Sequence, residues 1–300
     1  MVNKEEIFRN LNAGMLYERS RVFKINLTKN LSFIRRYGGL ANMTGKLKNR
    51  NVIVIGAGPG LEKNVQLLKK YRDRIDLVYI ASDMALKPLL LHGIRPHYVI
   101  TCETTPAGFF SGIDTSDMHL LAFSCTSNSN LRSWSGAMSF YNWMMDGDYF
   151  DELWDTAGRD LGFVATGSII VTQAVSIALG CGIGNLVLVG NDLGFSDRYY
   201  VSGTVSGERR YAASGRLNTY PSIDMSAVRV SRDYEIVRDG KVTYTNNQFL
   251  AAKMWLEDLF KGGQYPVIDS SYPGCSGAGI VKMELADFFK KNYGTRKRRK

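Results

Sequence analysis

Three glycines at alternating positions are the first residues in this sequence that could support chemistry. Gly56, Gly58 and Gly60 follow the apolar residues 52–55 within the stretch NVIVIGAGPGL. A β-branched run that ends in glycine is typical of a buried parallel strand, and glycine allows a ligand to approach the backbone closely. A helix beginning at this turn would direct free N–H groups towards an anion. We interpret the turn as a binding site for the phosphate of a nucleotide or nucleotide sugar; the alternative is a glycine-rich turn without a ligand.

Three other predicted strands also end in polar residues. Ligands of an open parallel sheet bind outside the carboxyl ends of its strands, so these residues are expected to share one pocket. A second helix start, at Gly167-Ser168, is expected to face the same pocket. Any single acid is more often a helix cap than a catalyst, so Glu103 and Asp192 are candidates for ligand or metal contact. The polar strand ends are Ser82-Asp83 after residues 76–81, Glu103 after residues 98–102, and Asn191-Asp192 after residues 185–189.

The elements that position these residues alternate between strands and helices, which predicts an α/β fold with a Rossmann-like, doubly wound, mostly parallel sheet. Residues 1–50 have short helical patterns and are predicted to form a helical N-terminal arm on the main domain or on a second copy of the chain. The main domain is predicted to span 51–295. Within it, the polar stretch 196–245 is rich in Tyr and Arg and is predicted to be a lid-like insertion. Residues 296–300 form a basic tail.

Two segments of the main domain leave more than one interpretation open. The aromatic-rich stretch 131–161 is predicted to be a peripheral helical segment with its aromatic rings in the core; the alternative is a wall of a substrate cavity. The small and apolar residues 169–179 predict a buried helix. Thr166 or Ser168 is expected to cap that helix, because hydroxyl side chains accept hydrogen bonds from the first free N–H groups.

Charge and cysteine content narrow the class of protein. The formal net charge is +10, of which residues 1–50 carry +8 and the last five residues +5, so residues 51–295 carry −3. A basic surface for nucleic acid is therefore not expected on the fold itself. The four cysteines form no CxxC pair, and the N-terminal residues lack the apolar segment of a secretory signal. These features predict a cytoplasmic protein without a membrane span.

Several common catalytic motifs do not occur in the sequence. The Gly-Lys-Ser/Thr end of a phosphate-binding loop, HExxH and GxSxG are all missing. A nicotinamide-dependent dehydrogenase would place an acid at the end of the second strand, as Asp83 does here. However, the residues Pro59-Gly60-Leu61 depart from the GxGxxG spacing. A dehydrogenase is therefore a weak alternative.

Three ordered blocks carry a family resemblance that covers about residues 51–195. They read GAGPGLEKN, YIASDMALKPLLLHGIRPHYVITCE and TGSIIVTQAVSIALGCGIGNLVLVGNDLGF. Together they resemble the bacterial motility-associated factor family of flagellin glycosyltransferases, which shares a domain with the archaeal 6-hydroxymethylpterin diphosphokinases. The first and third blocks are also similar to bacterial sialyltransferases. The resemblance implies a Rossmann-like fold and transfer of a sugar from a CMP-activated nonulosonic acid to flagellin, without an obligatory metal.

The resemblance also implies roles for individual residues. The three glycines of the first block would lie along the donor phosphate, and Gly167 with Ser168 would bind the nucleotide. Asp83 and Glu103 would meet the nucleoside, while Asp192 would hold the site below the lid. The family's catalytic histidine is missing, and Tyr200 stands at about its place. Asp192 and Tyr200 are therefore the catalytic candidates, although an unperturbed tyrosine is a poor base at neutral pH.

Two alternative functions remain. A diphosphokinase would use Mg²⁺ to bridge ATP phosphates, and Glu103 and Asp192 would be its metal ligands. A non-catalytic family member would bind a nucleotide or partner without a base. The missing histidine motivates this second alternative.

Overall fold

A nine-stranded sheet forms the centre of the computed structural model, which describes residues 4–238 and 241–294. All neighbouring strands of this sheet run parallel. A separate antiparallel hairpin is formed by β8 and β9. The strands are β1 Asn51–Ile55, β2 Leu77–Ser82, β3 Tyr98–Thr101, β4 His119–Phe123, β5 Ala137–Trp143, β6 Phe163–Val164, β7 Asn185–Val189, β8 Tyr234–Arg238, β9 Lys241–Thr245, β10 Val267–Asp269 and β11 Ile280–Lys282.

The strand order reverses beside β1. The order across the sheet is β11-β10-β7-β1-β2-β3-β4-β5-β6, so the chain leaves β1 towards β2 and later returns to its other side as β7. Ile55, the last residue of β1, lies opposite Ala81 of β2 and Val189 of β7. This order confirms the predicted Rossmann-like, doubly wound α/β fold, and it places a topological switch point between β1 and β7.

Helices cover both faces of the sheet. Val52 and Val54 of β1 belong to one hydrophobic cluster, and Ile53 and Ile55 belong to another on the opposite face. Burial on both faces explains why the strand is a continuous apolar run. The helices are α1 Lys4–Tyr37, α2 Val65–Tyr71, α3 Asp83–Leu91, α4 Asn128–Arg132, α5 Asp148–Ala157, α6 Ile170–Gly180, α7 Val205–Tyr211, α8 Tyr220–Ser231, α9 Asn247–Phe260 and α10 Leu285–Tyr293.

The N-terminal arm is one continuous helix, so the prediction of short helical pieces was wrong. Helix α1 has 34 residues and buries Phe23, Leu27 and Ile34 at helical spacing against the first cluster. The Asn30 side chain donates hydrogen bonds to the carbonyl groups of Ser124 and Thr126. Packing against the domain therefore stabilises a helix whose own pattern is weak. Despite its length, neither α1 nor any other helix of the described ranges is apolar enough to cross a membrane.

The aromatic stretch 131–161 contains strand β5, so its prediction as a helical segment was wrong over residues 137–143. The strand is buried on both faces, which removes the polar alternation that would distinguish it from a buried helix. The placement of the aromatic rings in the core is confirmed. The Trp143 ring stacks on Phe123 of β4 with ring centroids 4.0 Å apart.

The insertion 196–245 is more regular than its sequence indicated. It contains helices α7 and α8 and the hairpin of β8 and β9. Thr204 accepts a hydrogen bond from the Gly207 N–H group and so caps α7. The backbone of Phe195 pairs with that of Tyr244, which fixes the hairpin beside the end of β7.

Candidate functional site

A cavity of about 760 Å³ opens at the carboxyl edge of the sheet, beside the switch point between β1 and β7. All four polar strand ends contribute to its lining, so the expected shared pocket is confirmed. Helix α1 and the insertion 196–245 form other parts of its wall. The predicted site residues that line the cavity are Gly56, Gly58, Asp83, Glu103, Ser168, Asp192 and Tyr200; Gly60 and Gly167 are not among the lining residues.

The N–H groups of the glycine turn are used within the fold. Gly56 and Gly58 donate to the carbonyl groups of Val189 and Gly190 at 2.9 and 2.8 Å. The Gly60 N–H group donates to the Asp192 carboxylate at 2.6 Å. The turn continues as a short 3₁₀ helix from Pro59 to Asn64 before α2 begins. The expectation of free N–H groups at a helix start was therefore wrong at these three glycines, and their contact with phosphate stays a prediction.

Close packing against residues 190–192 explains why these positions are glycine. A Cβ atom on Gly56 would lie 2.4 Å from Asn191 Oδ1, and one on Gly58 would lie 2.6 Å from Asp192 Oδ2. On Gly60 it would lie 2.5 Å from Asp192 Oδ1. The turn after β1 and the turn after β7 therefore fit together only when the first lacks side chains.

Asp192 is a buried carboxyl group at the base of the cavity. Its side chain accepts hydrogen bonds from the N–H groups of Gly60 and, at 3.3 Å, Tyr272. Burial raises the pKa of Asp192 to about 6, and the two hydrogen bonds oppose that shift. A carboxylate with this pKa is a stronger base than an exposed aspartate, while it stays mostly ionised at neutral pH.

Asp83 lies at the end of β2 and is also buried. Its carboxyl group accepts hydrogen bonds from the Thr101 hydroxyl at 2.7 Å and from the Met84 N–H group at 2.8 Å. Burial raises the pKa of Asp83 to about 7, which exceeds the lowering effect of these bonds. At neutral pH this group can therefore either donate or accept a hydrogen bond towards a ligand.

Glu103 is more exposed and is held by its neighbours. Its Oε1 atom accepts hydrogen bonds from the N–H and hydroxyl groups of Thr105. Arg19 of α1 lies 3.5 Å from the same oxygen and donates to the Thr104 hydroxyl at 2.6 Å. Helix α1 therefore reaches the end of β3 and fixes the loop that follows it.

The start of α6 differs from its prediction. Ile169 is the N-cap residue, and no side chain of Thr166 or Ser168 caps the helix. The Ser168 hydroxyl instead donates to the Gln248 carbonyl group at 2.9 Å. Gly167 packs against α9, where a Cβ atom would lie 2.6 Å from the Trp255 ring. The capping prediction was therefore wrong, because the Ser168 hydroxyl bonds α9 and the Thr166 hydroxyl accepts a hydrogen bond from Gln173 at 3.3 Å.

Tyr200 lines the cavity, but its environment does not suit a base. Burial raises the pKa of Tyr200 well above its usual value, so the phenol stays protonated at neutral pH. The neighbouring Tyr199 ring lies 4.6 Å away, centroid to centroid, in an edge-to-face arrangement. Tyr200 can therefore act as a hydrogen-bond donor more readily than as a proton acceptor.

Sequence reasoning missed one further polar group in the cavity wall, the side chain of Gln173. Gln173 of α6 accepts hydrogen bonds from the Tyr141 hydroxyl at 2.8 Å and the Trp143 indole at 3.0 Å. These two donors fix its amide oxygen, so its Nε2 atom points towards Thr166 at 3.3 Å. A glutamine among the mostly apolar and small residues of this helix was the available signal.

Two buried polar atoms in the cavity wall have no hydrogen-bond partner in the described part of the chain. They are the Ser82 hydroxyl oxygen and the Asn191 amide oxygen. Buried polar atoms normally have a partner. Both atoms lie beneath the cavity surface, and Asn191 Oδ1 packs against Gly56.

Comparison with known proteins identifies the family. The family model of the 6-hydroxymethylpterin diphosphokinase MptE-like proteins matches residues 25–198, which is more than half of the chain. The chain belongs to this family. The solved structure of the MAf glycosyltransferase from Magnetospirillum magneticum AMB-1 is similar in fold, with a TM-score of 0.56 and 15% sequence identity. No curated protein matches the sequence at a significant level.

The relationship to the MAf glycosyltransferase is partial in length. The similarity covers 79% of this MptE-like chain but 34% of the MAf chain. This chain therefore spans about a third of that protein. At this level of identity the likeness concerns the fold.

The acids of this MptE-like cavity do not form a ready metal cage. Within the described ranges, no three His, Cys, Asp or Glu side chains are grouped closely enough to hold a metal ion. The two predicted ligands, Glu103 and Asp192, already accept hydrogen bonds from Thr105 and from the backbone at Gly60. Mg²⁺ is usually held by one or two carboxylates together with substrate phosphates. The residues present therefore do not form a metal cage by themselves, without phosphates from a substrate.

Proposed function

We propose that this protein is a glycosyltransferase that uses a nucleotide-activated sugar, of the CMP-nonulosonic acid type, and a protein or surface acceptor such as flagellin. The observation that carries the proposal is the cavity at the switch point, which is lined by two acids of raised pKa, Asp83 and Asp192. The activity of the structural neighbour, a glycosyltransferase, supports the same choice. The cavity volume of about 760 Å³ suits a ligand of this size.

In the proposed reaction the acceptor hydroxyl oxygen forms a bond to the anomeric carbon of the sugar. The bond between that carbon and the phosphate oxygen breaks, and CMP leaves with the electron pair. The acceptor proton passes to the carboxylate of Asp192, whose raised pKa makes it a suitable base. Asp83 and Glu103 are proposed to contact the nucleoside. Tyr200, protonated at neutral pH, would donate a hydrogen bond and not accept the proton.

Release of CMP from a CMP-nonulosonic acid, with and without an acceptor protein, tests the proposal. We expect turnover by the full chain in the presence of EDTA. Asp192→Asn should lower turnover at least about 100-fold, because an amide cannot accept the proton, while CMP binding measured by calorimetry persists. Asp73→Asn is the control, because the Asp73 side chain is 96% exposed. No binding of any nucleotide would overturn the proposal, whereas full turnover by Asp192→Asn would overturn the role of Asp192 as the base.

A second candidate is diphosphate transfer from ATP to a pterin alcohol. The family match over residues 25–198 favours it, because that family is named for this activity. Glu103 and Asp192 would then contact Mg²⁺ bound to ATP phosphates. Formation of AMP from ATP that requires both Mg²⁺ and 6-hydroxymethylpterin would replace the glycosyltransferase proposal with this one.

A further inference from the structure

The glycine turn is a weak place to hold an anionic ligand group in this cavity. At Gly56, Gly58 and Gly60 the N–H groups already donate to protein oxygens. The carboxylate of Asp192 also lies directly against the turn. A phosphate there would meet few free donors and a like charge. The anionic group of a ligand therefore needs positive charge from another part of the cavity.

Two arginines supply that charge from outside the sheet. Among the cavity-lining residues in the described part of the chain, the positively charged ones are Arg19 of α1 and Arg209 of α7. Both hold the loop that follows β3. Arg19 donates to the Thr104 hydroxyl at 2.6 Å, and Arg209 donates to the Ala107 carbonyl group at 2.5 Å.

These contacts position the guanidinium groups and use only some of their N–H donors. A guanidinium carries five N–H groups in a fixed plane, so the bond of Arg209 to Ala107 leaves further donors for a ligand. Arg19 also pairs with the Glu103 carboxylate at 3.5 Å, and its contacts with Glu103 and Thr104 both involve Nη1, so its other N–H groups stay available. Phosphate oxygens match this planar arrangement and can accept two parallel hydrogen bonds. Both side chains are anchored to the same short loop, so less conformational freedom is lost when a ligand binds them.

We propose that Arg19 and Arg209, which both line the cavity and both bond the loop 103–107, bind the phosphate of the nucleotide. This inference rests on the proposed function and assigns its phosphate-binding residues to the elements that cover the sheet. In this proposal α1 and the insertion have a similar role, because each contributes one cation to the lining of the cavity. Ligand binding would then connect α7 to the sheet domain.

The test compares CMP with cytidine, which differ in the phosphate. Calorimetry on the full chain should show tighter binding of CMP than of cytidine. Arg19→Ala and Arg209→Ala should each lower CMP affinity at least about tenfold and leave cytidine affinity within about twofold. Unchanged cytidine binding also shows that the variants are folded. Arg209→Lys keeps the charge without the planar donors and should give a smaller loss.

Matched controls come from the same two elements. Arg21 of α1 and Arg216 of the insertion are exposed and do not line the cavity. Arg21→Ala and Arg216→Ala should leave CMP affinity unchanged within about twofold. An equal loss in these variants would show a general charge effect and overturn the inference.

The outcomes separate this inference from the proposed function. CMP binding that persists in both arginine variants overturns the arginine site and leaves the glycosyltransferase proposal standing. If no nucleotide binds, inorganic pyrophosphate is the second probe. Pyrophosphate binding that both arginine variants lose supports the anion site while the proposed function fails. Binding of neither probe by the wild-type chain overturns both.

Discussion

The carboxyl edge of the sheet and the two segments that cover it, helix α1 and the insertion 196–245, contribute different charges to one cavity. The strand ends bring Asp83, Glu103 and Asp192, whereas the covering segments bring Arg19 and Arg209 together with Glu18. The strand ends follow from the topology of any parallel sheet. The positions of the covering segments instead depend on tertiary packing that is specific to this chain. Under the proposed function, the strand ends would supply the acid–base groups and the covering segments would supply the cations that select the ligand.

The division between the sheet and its covering segments would be different if α1 were a separable arm. Phe23 of α1 is fully buried, and its ring lies edge-to-face with Phe123 and Trp143 at 5.6 Å. We predict that Phe23→Ala lowers the free energy of unfolding by about 3–5 kcal/mol, as for a core aromatic residue. Urea unfolding followed by circular dichroism measures it.

Tyr17→Ala provides the control on the same helix. The Tyr17 side chain is 92% exposed, so its removal should change stability by no more than about 0.5 kcal/mol. A loss below about 1 kcal/mol for Phe23→Ala would mean that α1 packs loosely and that the sheet domain is stable without it.

The buried acids at the strand ends predict a pH dependence of stability. The pKa of Asp83 is about 7 in the folded protein, against about 3.9 in an unfolded chain. Between these values the folded state binds more protons, so stability decreases as pH rises from about 4 to about 7. The decrease from Asp83 alone is up to ~4 kcal/mol. Asp83→Asn should flatten this part of the profile.

Thermal or urea unfolding between pH 4 and pH 8 measures this effect. Asp83→Asn keeps a group that can pair with the Thr101 hydroxyl, which both accepts and donates hydrogen bonds. Asp73→Asn, at an exposed site, should follow the wild-type profile. An unchanged slope in Asp83→Asn would show that this carboxyl group titrates like an exposed one.

The close fit between the turns after β1 and β7 can be tested with a double-mutant cycle. A Cβ atom on Gly60 would meet atoms of the Asp192 carboxylate within 3.1 Å. We predict that Gly60→Ala destabilises the protein by about 1–3 kcal/mol. In the Asp192→Ala background the same change should have little effect, because the clashing carboxylate is removed.

Gly45→Ala is a useful reference for the cycle. Gly45 has open space around it but a positive φ of 76°, so its effect comes from backbone strain alone. Equal losses from Gly60→Ala in both backgrounds would show that Asp192 is not what excludes a side chain at position 60.

The sequence allowed the sheet to be predicted where a short apolar run ended in glycine or a polar residue. The bounds of β7 were predicted to the residue, the predicted run 52–55 differs from β1 by one residue at its start, and the polar strand ends do meet in one cavity. Strand β5 was missed because both of its faces are buried and its residues do not alternate. The roles of the individual site residues remain predictions.

The cations of the cavity could not be predicted in the same way. Arg19 lies within a long helix, and nothing in its local sequence indicates that it reaches the end of β3, 85 positions further along the chain. Arg209 lies in a stretch with many arginines. Their selection depends on tertiary packing, which sequence periodicity does not encode. The hydrogen bonds of the glycine turn favour these two side chains over the turn as the proposed phosphate site, and the sequence alone does not show those bonds.

The smallest predicted effect concerns helix α7, which carries Arg209. The Thr204 hydroxyl accepts a hydrogen bond from the Gly207 N–H group at 3.1 Å and caps the helix. Thr204→Ala should weaken α7 by about 1 kcal/mol, whereas Thr204→Ser keeps the oxygen and should behave like the wild type. Hydrogen exchange should show amides of α7 opening about fivefold more often, with the sheet unaffected. Faster exchange across the whole sheet would mean that the covering segments and the sheet unfold as one unit. The two regions would then differ in the charges that they bring to the cavity but not in their stability.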